Sequence, residues 1–261
     1  MRMASVGHAL FAATMVALGI FGLVKGGFAP IWQPVPADLP GREALAYLTS
    51  LIALACGLGL VFKRSAAPAA RVLFVFLFVW MLLIKGRFIL LAPLVEGSYQ
   101  SCGETAVIVA GAWVLYAWFA SNSDRRRLGF AVGDRGVRGA RVLYALALIA
   151  FGLSHFVYVQ MTTPLVPGWL PAPFFWAYFT GAAFLAAGVA ILVGFRARLA
   201  AALGALQIGL FTLLVWGPIL LAGPVSAQHW GEAVVSWTIT AGAWVVADSY
   251  RLLPSLGARR S

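Results

Sequence analysis

The sequence predicts an all-α membrane protein with eight transmembrane helices, arranged as two four-helix bundles that are parallel repeats of one another. Three observations carry this. Of the 261 residues, 62% are hydrophobic and 10% charged, with a mean hydropathy of +0.92, whereas soluble domains carry roughly 25% charged residues. The apolar residues form long unbroken runs, and the second half of the chain repeats the order of short motifs in the first.

Runs that supply about twenty helical residues each, the length that crosses a hydrocarbon core, fall at 6–24, 43–62, 70–92, 103–120, 142–160, 173–194, 197–222 and 230–248. They are continuously apolar and rich in Ala, Leu and Gly. That excludes a β-barrel, whose strands alternate apolar and lumen-facing residues. Small-residue pairs such as Gly22-x-x-x-Gly26 and Gly57-x-Gly59 are expected where helices pack closely.

Between the fourth and fifth runs lies the polar hinge Ser121 to Arg141, with six arginines against Asp124 and Asp134. It divides the chain into a first repeat, 1–120, a basic linker, 121–141, and a second repeat with a basic tail, 142–261. The net charge of +11 would suggest nucleic acid in a soluble protein, but a basic loop between apolar runs is expected to be held in the cytoplasm, so no nucleic-acid partner is expected. Placing the N-terminus, 62–71, 121–141, 195–198 and the tail on one side puts all Lys and Arg there except Lys25, Arg42, Lys85 and Arg87. The expected topology therefore has both termini in the cytoplasm and the bilayer as the first partner. The N-terminal segment has the basic start and apolar centre of a signal peptide with cleavage after Ala29; its internal recurrence argues for a retained span.

The repeat appears at an offset of about 130 residues. Phe21-Gly22-Leu23 meets Phe151-Gly152-Leu153, and Pro34 to Pro40 meets Pro164 to Pro171. Gln100-x-x-Gly103-Glu104 meets Gln228-x-x-Gly231-Glu232, and Gly111-Ala112-Trp113 meets Gly242-Ala243-Trp244. Four spans per copy give both copies one orientation, related by an axis along the membrane normal.

The repeat unit resembles the DoxX-like membrane protein family. The resemblance rests on Gly22-Leu23-Val24-Lys25, Pro34 to Pro40, Tyr47 to Ser50 and Gly103-Glu104, and then on Gly152-Leu153-Ser154-His155, Pro164 to Pro171, Tyr178 to Gly181 and Gly231-Glu232. It implies a tandem duplication of a four-helix unit in a bacterial inner membrane. It also implies an accessory or subunit role in a quinone-linked redox system, as in thiosulfate:quinone oxidoreductase, with a quinone as cofactor and a redox protein as partner. The chain departs from the family where many members carry a second-helix glutamate, here Ala53 and Phe184, and where His155 replaces the first-helix lysine.

The topology places Lys25, Lys85, Arg87, Glu104, His155, His229 and Glu232 at or near outer helix ends, where they are expected to form one outward-facing polar cleft. Ionisable groups at membrane depth cost roughly 2.5–3.5 kcal/mol on insertion scales, and so face an interior or a cavity. Snorkelling to the interface accounts for the cations equally well, and a helix start accommodates a glutamate without a ligand. His229-x-x-Glu232 with His155 has metal-ligand spacing, but no cysteine or second carboxylate accompanies it, so no metal is expected. Cys102 lacks a thiol partner and reads as inert, Cys56 as packing. Trp32, Trp169 and Trp230 read as interfacial anchors. Two other functions fit the same residues: a non-enzymatic binder or transporter of a small solute, and a structural membrane partner.

Overall fold

The structure, a computed structural model, describes residues 4–257, with side chains to Arg251. Arg2, Arg259 and Arg260, which contribute to the charge bias, lie outside the described residues. Among those described, the chain is helical with no strand. Eight long helices follow one another: α1 Val6–Lys25, α2 Arg42–Val61, α3 Ala66–Leu91, α4 Glu96–Phe119, α5 Gly133–Val157, α6 Pro173–Val193, α7 Ala197–Leu221 and α8 Ala227–Gly257. The first seven are long and apolar enough to cross a membrane, which makes this a multi-pass membrane protein. Eight spans were expected; the eighth long helix, α8, with Gln228, His229 and Glu232 in its opening turns, is not among the seven.

Local chemistry sets the helix ends. Ser5 caps α1 by accepting from the His8 amide at 3.1 Å, and Gly26 closes it in the left-handed region at φ 65°. Pro173, which needs no amide partner in a first turn, opens α6. The 121–141 stretch, expected as a linker, is partly helical. Ser121 and Asp124 form a reciprocal capping box over the short helix Asn122–Arg127, and α5 begins at Gly133, nine residues before its apolar run. A helix continues past its apolar stretch wherever its polar turns can remain at the membrane surface.

The core centres on α4, which is apolar on every side from Thr105 to Tyr116 and so belongs inside a bundle. Of its best membrane window 72% is buried, against 28% for α6 and for α7. It packs against α3, α5 and α8, while α8 also packs against α1 and α7. At the crossing of α4 and α8, a Cβ on Gly111 would lie 2.9 Å from Gly242 Cα, and one on Gly242 would lie 2.8 Å from the Val107 carbonyl oxygen. The helices touch backbone to backbone there.

Two helices are interrupted at matching places. In α3 the Gly86 amide bonds back five residues to the Met81 carbonyl, and in α7 the Gly217 amide does the same to Thr212. Each makes one wide π turn, Met81–Lys85 and Thr212–Trp216. Beside the second, Thr212 Oγ1 lies 2.8 Å from Ser236 Oγ and 2.9 Å from Thr240 Oγ1, tying α7 to α8.

The end of the bundle holding the hinge arginines is closed by specific polar bonds. The Gly7 amide donates to Asp248 Oδ2 at 2.9 Å, and Arg71 pairs with Asp124 at 3.1 Å. His8 Nδ1 accepts from the Ala4 amide, so Nε2 carries the proton and donates to the Leu60 carbonyl at 3.0 Å.

Candidate functional site

At the opposite end a cavity of about 1140 Å³ opens between α1, α3, α4, α8 and the connection after α1. The Lys85 side chain enters it from the last position of the first π turn. Lys85 is 4% exposed and its Nζ donates to Ser101 Oγ of α4 at 3.0 Å. A wide turn of this kind redirects side chains and recurs at functional sites.

The acidic part comes from α4 and α8. Gln100 and Glu104, four residues apart, present one helical face, and Gln228 and Glu232 do the same on α8; all four line the cavity. Glu104 is half-buried and Glu232 exposed. Neither lies within ion-pair distance of Lys85: the ion pairs among the described residues are Arg71–Asp124 and Arg251–Asp248. The cavity is thus lined by two ammonium groups, Lys25 and Lys85, and two carboxylates, with space between them that a ligand can enter.

The apolar wall is built by the connection after α1. Its short 3-10 turn Pro30–Trp32 tucks into the bundle, with Trp32 edge-on to Trp80 at 5.3 Å and to Phe76 at 5.4 Å. Trp80 Nε1 donates to the Trp32 carbonyl at 3.2 Å. This corrects the interfacial reading of Trp32, which is 1% exposed; Trp169 is 69% exposed and Trp230 44%. Anchoring Trp32 sets Phe28, Ile31 and Gln33 along the cavity.

Of the seven residues expected to form a cleft, the cavity brings together Lys25, Lys85, Glu104 and Glu232. Lys25 is exposed at the end of α1. The other three do not line it. Arg87 is exposed beside Phe88, with 5.5 Å from its guanidinium carbon to the ring centroid. His155 donates Nδ1–H to the Phe151 carbonyl at 2.7 Å and packs on Phe184 and Phe211. His229 is exposed beside Trp216. No group of three His, Cys, Asp or Glu positioned for a metal occurs among the described residues, and Cys102 does not line the cavity. Gln33, Gln100, Ser101 and Gln228 enter the site unanticipated. The four-residue spacing from each glutamine to its glutamate was the available signal for two of them.

The arrangement can donate a hydrogen bond from a buried ammonium, accept or donate through two carboxyl groups, and hold an apolar ring against Phe21, Phe28 and Ile108. That suits a small amphiphile with polar oxygen atoms. No protein-family model, no curated protein and no solved structure matches the chain.

Proposed function

We propose that this chain is a DoxX-like, eight-span inner-membrane protein whose outward-facing cavity binds a quinone for a quinone-linked redox system. The observation that carries the reading is the placement of Lys85 in one cavity with Glu104 and Glu232. A quinone carbonyl accepts a hydrogen bond from an ammonium, and carboxyl groups exchange the protons that reduction requires. The sequence has no haem-attachment or paired-cysteine motif, so the two electrons are assigned to a partner protein.

The reading of α8 as an eighth span is supported by its length of 31 residues and its packing against α1, α4 and α7. The duplication is supported by the paired π turns and by the meeting of Gly111 with its sequence counterpart Gly242. The charge bias supports cytoplasmic termini, which turns the cavity outward. The backbone contact of α4 and α8, one to two turns deeper than the cavity, favours binding over passage of a solute.

The test is mass spectrometry of small molecules retained after gentle purification of wild type and the Glu104→Gln/Glu232→Gln double variant. A quinone present in the first and lost from the second is the expected result. A different retained solute would replace the redox reading with a solute binder, and nothing retained in either protein would leave a structural partner.

A further inference from the structure

We infer that the ligand reaches the cavity sideways from the membrane, through a parted seam between α1 and α8, and that its hydrocarbon tail stays in that seam. This rests on the proposed reading of the cavity as a quinone site and adds the class of quinone, one with a long apolar tail.

The two helices run antiparallel and part steadily toward their outer ends. Gly7, Thr14 and Phe21, each seven residues after the last, lie along one side of α1. At Gly7 the backbones touch: a Cβ there would lie 2.8 Å from the Val245 amide nitrogen. At Thr14 a long side chain bridges the gap, with Trp237 Nε1 donating to Thr14 Oγ1 at 3.1 Å. Seven residues further out, the same register brings Phe21 level with Gly231. There a Cβ on Gly231 would meet only Pro30 Cβ within 4 Å among the described residues, at 3.9 Å. Phe21, Gly231 and Val235 face the cavity instead of one another.

The other half of the molecule supplies the comparison. Phe151 and Gly103 are the repeat counterparts of Phe21 and Gly231, on α5 and α4. That seam is shut: a Cβ on Gly103 would lie 3.3 Å from the Phe151 ring and 3.5 Å from Ala147 Cα, and Phe151 is buried. The same pair of residue types therefore closes one seam and walls a cavity in the other. At the open seam Pro30, from the turn that Trp32 anchors, stands beside Gly231.

The open seam faces lipid. Trp237, at its floor, is 42% exposed, so this edge of α8 lies on the outside of the bundle. Lys25 and Glu232, exposed on the two helices at the outer end, mark the level of water, because charge avoids hydrocarbon. Between the levels of Phe21 and Thr14 lie about 10 Å of helix. With its ring held among Lys85, Glu104 and Glu232, a quinone can pass its tail out between α1 and α8. The tail then remains in hydrocarbon throughout, whereas a route from the outer solution would expose it to water.

The experiment is photolabelling of the full chain in nanodiscs with a benzoquinone whose decyl tail ends in a diazirine, read by peptide mass spectrometry. Adducts on α1 and α8 near Phe21, Val235 and Trp237, lost when unlabelled decyl benzoquinone is added in excess, are the expected result. Isothermal titration gives a second readout. Gly231→Leu, which fills the seam, is expected to weaken the decyl benzoquinone about tenfold more than its tail-less parent. Val189→Leu, on a half-exposed face of α6, is expected to change neither. Competed adducts confined to other helices or to the connection after α1, or equal weakening of both quinones by Gly231→Leu, would overturn the inference and leave the cavity reading standing. Binding of neither quinone by wild type would remove both.

Discussion

Asp124 joins two interactions that lie far apart in the chain. Its carboxylate accepts from the Ser121 amide at 3.0 Å and from Arg71 at 3.1 Å, 53 positions away. Burial alone would raise this carboxyl; the Ser121 hydrogen bonds and the Arg71 guanidinium outweigh it and hold it below the usual carboxylate range. A carboxyl depressed in the folded state stabilises fully above its unfolded value of about 3.9, and that contribution disappears as pH falls through the folded value. Asp124→Asn is therefore expected to cost about 1 kcal/mol near neutrality and nothing once the acid is protonated, measured by thermal unfolding in detergent against pH. The Ser121-x-x-Asp124 cap is a local motif, yet the stretch was expected only as a basic linker because its arginines dominate its composition. Its pairing with Arg71 was not legible, because packing of α3 against the hinge sets it. Lys85 and Arg87 show the same limit. Two residues apart on one helix, they point to different sides, and only the bundle determines which side is the cavity.

At the scale of elements, the apolar runs located the helix centres and placed the ends of α1, α2, α6 and α7 to within one residue, but missed the opening turns of α3, α4, α5 and α8. The fourth run begins at 103, whereas α4 begins at Glu96 and carries Gly97, Gln100 and Ser101 into the cavity. Hydropathy discards such turns because they are polar, which is why a site at a membrane boundary uses them. The π turns left no sequence signal: a wide turn adds a residue to an apolar helix without altering its composition. The Pro30–Trp32 turn escaped for the opposite reason, since a Trp near a span end reads equally as anchor or core. Trp32→Ala is expected to cost about 3–5 kcal/mol, as for a buried aromatic, and to abolish ligand retention by loosening the wall. Trp169→Ala, at an exposed position, is expected to stay within about 0.5 kcal/mol. Chemical unfolding of both variants in micelles, with ligand retention measured in parallel, checks the contrast.

Across the whole molecule, the halves are joined by α4 on α5, α4 on α8 and α1 on α8, leaving α6 and α7 largely facing the surroundings. The charge pattern that assigned sides is a property of the full chain, and labelling tests it directly. In a Cys56→Ser/Cys102→Ser background, Asp38→Cys and Gly168→Cys are expected to react with an impermeant maleimide added outside intact cells. Phe130→Cys and Arg251→Cys are expected to react only after the membrane is opened. Arg251→Cys labelled from outside would mean that α8 does not cross.

The backbone contact of Gly111 with Gly242 has a further consequence, for inheritance. A methyl group at either position already forces the two helices apart, so the first change carries most of the damage and a second adds little. Harm at these two sites therefore combines as a single lesion. Neither glycine regains freedom to vary until the other helix has moved away, and two positions 131 residues apart are bound to change together or remain as they are.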